Sequence, residues 1–253
     1  MHEQLPFTAF LNKVLGGVVT AFLNAIGIHP HYPKTPIDNF LAMEILVVAI
    51  LFLLFVLVRA SLSVDKPRSL QHIFEGVHGF IENQSKEIIG PHSEMFTSFL
   101  VPLFIFILFC NLIGLVPGFV SPTANPSVPL GCALVAFAYY QMQGIRAHGA
   151  GAYLKQFFGP SDKSMPLLLR IPLSILMFPI ELVSHVARVM SLTIRLFANM
   201  FAGDMVTLVF FSLVPVVIPV IFLGLHIFVS LLQAYIFALL TTVYLQGAVA
   251  AEH

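Results

Sequence analysis

The chain has 253 residues, 58% hydrophobic and 9% charged, with 12 Lys+Arg balanced by 12 Asp+Glu. A soluble domain carries about 25% charged residues, so this composition, at a mean hydropathy of +0.94, is that of an all-α polytopic membrane protein. Zero net charge argues against nucleic-acid binding, and the two cysteines, Cys110 and Cys132, sit in apolar runs without metal or redox spacing.

The N-terminus, Met1-His-Glu-Gln, lacks the basic region of a cleavable signal peptide, so none is expected. Residues 7–26 place Phe7, Phe10, Leu11, Val14, Leu15, Val18 and Phe22 at helical spacing, with Asn12, Lys13, Gly16, Thr20 and Asn24 opposite. That pattern suits an interfacial helix better than a span. Residues 1–36 are expected to form an external segment, closing on a Pro-rich loop in which His29 and His31 find no third metal ligand.

Phe40–Val58 is a first span, Phe96–Val116 a second interrupted by Pro102, and Leu130–Met142 a shorter third. Between the first two, residues 66–89 alternate Leu70, Ile73, Phe74, Val77 and Phe80 with Gln71, His72, Glu75, His78 and Glu82, an amphipathic helix on the membrane surface or against a partner helix. From Ile171 to Val214 nothing reverses the chain. Forty-odd residues at 1.5 Å reach roughly 65 Å, twice the ~30 Å hydrocarbon core, so one strongly tilted helix is expected, ended by Pro215 and Pro219. A last helix follows from Val220 to Ala248, leaving a short tail at 249–253.

About five crossings result, the last two forming a long tilted hairpin within a single membrane domain, 37–248. Basic residues cluster after the first and third spans (Arg59, Lys66, Arg68, Lys86, Arg146, Lys155, Lys163 and Arg170), which places those loops and the C-terminus in the cytoplasm and the N-terminus outside.

The expensive residues lie in the last two helices. Glu181, Arg188 and Arg195 are spaced by seven and share one face, extended by His185 and Asn199, while Asp204 falls half a turn away. His226 and Gln233 are also seven apart. Charges inside a bilayer point to a functional site by default. Glu, Asp and His can exchange protons, whereas an arginine with a pKa of about 12.5 or more is a fixed cation. Arg188 is the supporting arginine, free to snorkel or to pair with Glu181; His226 and Gln233 taken singly would suit a buried histidine and a helix–helix amide contact. Arg195 has no acid at i±3 or i±4. A relay interrupted by such a cation passes protons only if a mobile carboxylate visits it, and that carboxylate must come from another subunit.

At Ser191-Leu-Thr-Ile-Arg-Leu-Phe-Ala-Asn-Met-Phe-Ala-Gly-Asp204 the sequence resembles subunit a of the F-type ATP synthase. Asn111-Leu-Ile-Gly-Leu-Val-Pro117, Ser121-Pro-Thr-Ala-Asn125, His226, Leu232-Gln-Ala-Tyr-Ile-Phe237 and Val243-Tyr-Leu245 match as well, over about residues 37–248. Tyr139-Tyr-Gln and His148-Gly look like the bacterial branch. The resemblance implies a stator in the bacterial inner membrane, beside a ring of c subunits, with two offset half-channels. Arg195 would attract and release the ring carboxylate and block direct leakage. Glu181, Asn199, Asp204, His226 and Gln233 would line the half-channels, with His185 and Ser191 as further candidates on the proton path. The 66–89 helix would meet the peripheral-stalk b subunits, and the remaining ATP synthase subunits complete the assembly. Neither a metal nor a cofactor is implied, and ATP chemistry lies elsewhere, since no Gly-Lys-Ser/Thr phosphate loop occurs.

The alternative is a stand-alone ion-coupled carrier binding an anion at Arg195; the missing internal repeat counts against it. An intramembrane metalloprotease would need a His-Glu-x-x-His motif, which is not present.

Overall fold

A computed structural model of the chain describes residues 5–25, 35–62, 69–90, 93–116, 118–149, 151, 153, 167–213 and 217–250. Among these, the regular elements are helices: α1 (Pro6–Ala25), α2 (Asn39–Ser61), α3 (Ser69–Ile89), α4 (Glu94–Ile113), α5 (Ser127–His148), α6 (Leu167–Leu213) and α7 (Val217–Val249), with a 3-10 turn at Pro122–Ala124. In lipid a backbone must satisfy its own hydrogen bonds, so even the Val-, Ile- and Phe-rich runs of α2 and α4 become helical against their intrinsic preference.

Among the described residues, four helices are long and apolar enough to cross a membrane: Asn39–Ala60, Glu94–Ile113, Ile175–Phe210 and Val220–Val249. The expected third span is also a helix, but α5 runs six residues beyond Met142. Its 22 residues have the length of a crossing, while Gln141, Gln143, Arg146 and His148 make its second half polar. Gly149 ends it with φ 79°, a conformation cheap only for glycine, and its N–H bonds the Ile145 carbonyl at 2.8 Å. α6 holds 47 residues, about 70 Å of helix, with Pro172 and Pro179 inside it. The reversal expected at Pro215 lies outside the described residues. Pro219 does not precede α7 but is its third residue, where a missing N–H breaks no helical bond. Pro102 likewise leaves α4 continuous.

The chain divides into two compact units. The first comprises Met1–Gly76, Phe104–Asn125 and Ala198–Ala234. Here Leu11 packs on Ile37 and Ala42. Asn12 clamps one backbone residue twice: Nδ2 donates to the Ile37 carbonyl at 2.9 Å and Oδ1 accepts from its N–H at 3.0 Å. Phe10, Val14 and Val18 stay exposed. The polar stripe of α1 therefore turns inward at Asn12, because a doubly paired amide is satisfied away from water while apolar side chains suit lipid. Asp38 caps α2, its Oδ1 accepting from Leu41 N–H at 2.8 Å.

A buried polar knot in the same unit accounts for two of the sequence signatures. Asn111 Nδ2 donates to the Ser230 carbonyl at 3.2 Å, and Thr123 Oγ1 donates to Asn111 Oδ1 at 2.7 Å. Ser121 Oγ bonds the Cys110 carbonyl at 3.0 Å. A Cβ on Gly114 would lie 2.8 Å from Ser121 Cβ and 2.9 Å from its nitrogen, so only glycine admits this turn.

The second unit comprises Val77–Leu103, Pro126–Phe197 and Tyr235–His253. Phe80 packs on Tyr235 at 5.5 Å between ring centroids, and the Tyr235 hydroxyl donates to Gln84 Oε1 at 2.9 Å. Phe99 and Tyr139 stack at 3.9 Å.

Candidate functional site

Three of the charged residues meet in the second unit. Glu181, His185 and Arg188 follow one another at i, i+4 and i+7 on α6, and the structure adds partners from other elements. His185 is buried, with Nε2 3.4 Å from Glu181 Oε1 and Nδ1 3.0 Å from the Tyr140 hydroxyl. Arg188 does not pair with Glu181 among the described residues; its guanidinium lies over the Tyr244 ring, 5.2 Å from the centroid. Tyr140, Tyr153, Glu181, His185, Arg188, Gly247 and Ala248 line a cavity of about 70 Å³. A water needs at least ~10–15 Å³ of such space and two to four polar partners, so a chamber of this size and lining has room for water.

Arg195 lies two turns further along α6, half-buried. Its one described hydrogen bond is a weak one, Nη2 to Ser191 Oγ at 3.4 Å. Ser191 thus steadies the guanidinium from the preceding turn without neutralising it. No carboxylate comes within 4 Å of Arg195 among the described residues.

The first unit gathers the other four candidates. Asn199 Nδ2 donates to Gln233 Oε1 at 2.8 Å, joining α6 to α7. Asp204 Oδ1 stands 3.8 Å from His226 Nε2. That is ion-pair range but too long for a hydrogen bond, and the buried His226 Nε2 has no other described partner. The gap suits exchange through an intervening water. Gly203 makes this approach possible: a Cβ there would sit 3.0 Å from His226 Cε1 and Nδ1. Ser230, one turn beyond His226, is fully buried and directs its hydroxyl to Met200 Sδ at 3.9 Å.

Sequence reasoning placed all nine polar residues on α6 and α7 but missed the tyrosines that face them. Tyr140 lies 45 positions from His185, and no periodicity within one helix reports such a contact. A faint signal exists in Tyr139-Tyr-Gln, an aromatic polar triplet midway along an otherwise aliphatic run. Among the described residues no group of three or more His, Cys, Asp or Glu side chains has a metal-binding arrangement.

The model of the family described as ATP synthase A chain matches residues 41–246, a range containing every candidate residue. The chain belongs to the ATP synthase A chain family. It is 55% identical to a protein named ATP synthase subunit a from Koribacter versatilis over the full length of both chains. It is 52% identical to one of the same name from Solibacter usitatus, covering 96% of this chain and 99% of that one. A third, from Citrifermentans bemidjiense, is 41% identical over 74% of this chain and 77% of its own length. As a member of the A chain family the protein is a multi-helix membrane subunit that assembles with other ATP synthase subunits.

Proposed function

We propose that the chain is the proton-translocating stator of the ATP synthase membrane sector, coupling a proton gradient to ATP synthesis through the carboxylates of a rotating c-subunit ring. The observation that carries this reading is Arg195: a permanent cation on the longest helix, with no carboxylate partner among the described residues. Such a charge in lipid costs several kcal/mol unless something compensates it, and a passing ring carboxylate would do so transiently. Membership of the A chain family and the bareness of the last two helices support the partner. An apolar 18-residue stretch within Ile175–Phe210 is 11% buried and one within Val220–Val249 28%, against 56% for one within Glu94–Ile113.

The polar residues form two arms. Asp204 and His226, with the Asn199–Gln233 amide pair, serve one; Glu181 and His185 serve the other. Arg195, between them in the sequence and steadied by Ser191, prevents a proton from passing without riding the ring. Moving one charge through the membrane potential supplies ~2.3 kcal/mol per 100 mV. The chain has no catalytic site of its own; it carries protons, and the nucleotide chemistry belongs to other subunits.

Residues 37–248 act as one membrane domain in the bacterial inner membrane, with α5 as a fifth crossing. The basic residues following the first and third spans then face the cytoplasm, residues 1–36 lie outside and the 249–253 tail inside. α3 offers its polar face to the b subunits of the peripheral stalk. Cysteines placed singly at the exposed positions Ile194 and Leu231 should cross-link to a small, carboxylate-bearing helical subunit in intact membranes. Cross-links to large subunits alone would remove the ring from the account.

A further inference from the structure

The chamber beside His185 is more specific than a wet path requires. Its three titratable side chains are graded in exposure: the Glu181 side chain is 41% exposed, that of His185 8%, and Tyr140 is fully buried. The imidazole touches each of the other two through a different ring nitrogen. We propose that His185, positioned by Tyr140, holds the proton in transit inside this chamber, with Glu181 as its outlet to solvent. The inference rests on the proton-path reading above and assigns Tyr140 as a positioning residue of that path.

The hydrogen-bond chemistry is self-consistent. With Glu181 as a carboxylate, which only accepts, the arrangement fits a neutral His185 bearing its hydrogen on Nε2, with Nδ1 accepting from the Tyr140 hydroxyl. Uptake of a proton from chamber water places it on Nδ1. The Tyr140 hydroxyl then turns its hydrogen to a water and accepts from Nδ1–H, a reversal open to a phenol but not to an ammonium or a carbonyl. Release gives the Nε2 proton to Glu181, whose half-exposed carboxylate passes it to solvent, and the ring recovers its first tautomer by exchange through the adjacent waters. One proton enters and one leaves. Among the described residues, further groups around the chamber are Arg188 on the same helix, Tyr153, Tyr244 from α7, which packs on Tyr140, and the Phe137 ring, edge-on to His185 at 5.9 Å. Arg188, held over Tyr244, keeps a fixed positive charge on the chamber wall and takes no part in exchange.

Histidine titrates between about pH 5 and 8, the window in which such a site is read. The test uses the whole ATP synthase in inverted membrane vesicles, following ATP-driven acidification while the outer pH is varied across that window. The expected wild-type profile has one step assignable to the outlet. Tyr140→Phe removes a single oxygen and moves its midpoint by about half a unit or more, a threefold change in the protonation equilibrium. His185→Gln abolishes the step. Tyr139→Phe, whose ring stays stacked on Phe99, leaves the profile in place and carries any pH dependence of ATP hydrolysis itself. A midpoint unmoved in Tyr140→Phe, or a step that persists in His185→Gln, overturns the inference. Where His185→Gln lowers the amount of assembled complex, Tyr140→Phe decides alone. If Arg195→Ala abolishes coupled synthesis while these profiles coincide, this inference fails and the proton-path reading stands.

Discussion

At the scale of single residues, the approach of His226 to Asp204 depends on the hydrogen at Gly203. Gly203→Ala would push a methyl group against the imidazole at 3.0 Å, and overpacking of that kind costs about 1–3 kcal/mol. The expected result is a several-fold fall in ATP-driven proton pumping with the complex still assembled. Gly224→Ala, which meets nothing within 4 Å, leaves pumping at the wild-type rate. Asp204→Asn and His226→Ala each remove a group that can exchange protons, and each should slow pumping by about tenfold, one decade being about 1.4 kcal/mol of barrier. The loss should vary with pH, because the surviving partner still titrates. Unchanged proton flux in both single variants would remove the pair from the path. These residues were legible in the sequence because charge in an apolar run is conspicuous and seven-residue spacing puts Glu181, Arg188 and Arg195 on one face. The pairing of Arg188 with Tyr244, in place of Glu181, was not: which aromatic ring from another helix stands nearby is a property of packing.

At the scale of elements, helix lengths followed from hydrocarbon arithmetic, while helix ends and the burial of α1 did not. The single long helix over 171–214 was predicted by length and the lack of a turn signal, and α6 spans Leu167–Leu213. The extension of α5 to His148 is not legible in apolarity alone, because its last turns are polar. For α1 the amphipathic pattern was visible but its sense was not, since Asn12 gains more from two backbone bonds to Ile37 than from water. Asn12→Ala leaves those Ile37 groups unpaired, a cost of about 1–3 kcal/mol. Faster proteolysis within residues 1–36 of the detergent-solubilised complex is the expected outcome.

On α3, Lys86 lies 2.6 Å from Glu82 and 3.5 Å from Glu94. The hydrogen bond and charge of Lys86 hold the Glu82 carboxyl below its usual value of 4.5, and Glu82 raises Lys86 above its usual 10.5. A depressed carboxylate stabilises the helix fully above pH 4.5 and ceases to do so as pH falls through its lowered value. A raised amine does so below pH 10.5 and loses the effect as pH rises through its elevated value. Amide exchange of α3 should therefore show constant protection between these limits and weaken at the acid end. Lys86→Met should abolish that acid-end weakening. Lys86 is exposed and Glu82 partly so, so the effect is small and declines with salt.

At the scale of the whole molecule, four helices among the described residues meet the length and apolarity of a membrane span, and α5 makes the fifth crossing of the proposed topology. The 36 residues of Ile175–Phe210 make about 54 Å of helix, longer than a ~30 Å core, so in the proposed topology the last two helices cross obliquely and present long, sparsely covered flanks. Those flanks, and Arg195 without a counter-charge among the described residues, are what the proposed ring would complete. The most direct measurement is ATP synthesis driven by an imposed proton gradient in membrane vesicles containing Arg195→Ala. The account predicts that synthesis is lost while the complex remains assembled and still hydrolyses ATP. Synthesis at the wild-type rate would contradict it.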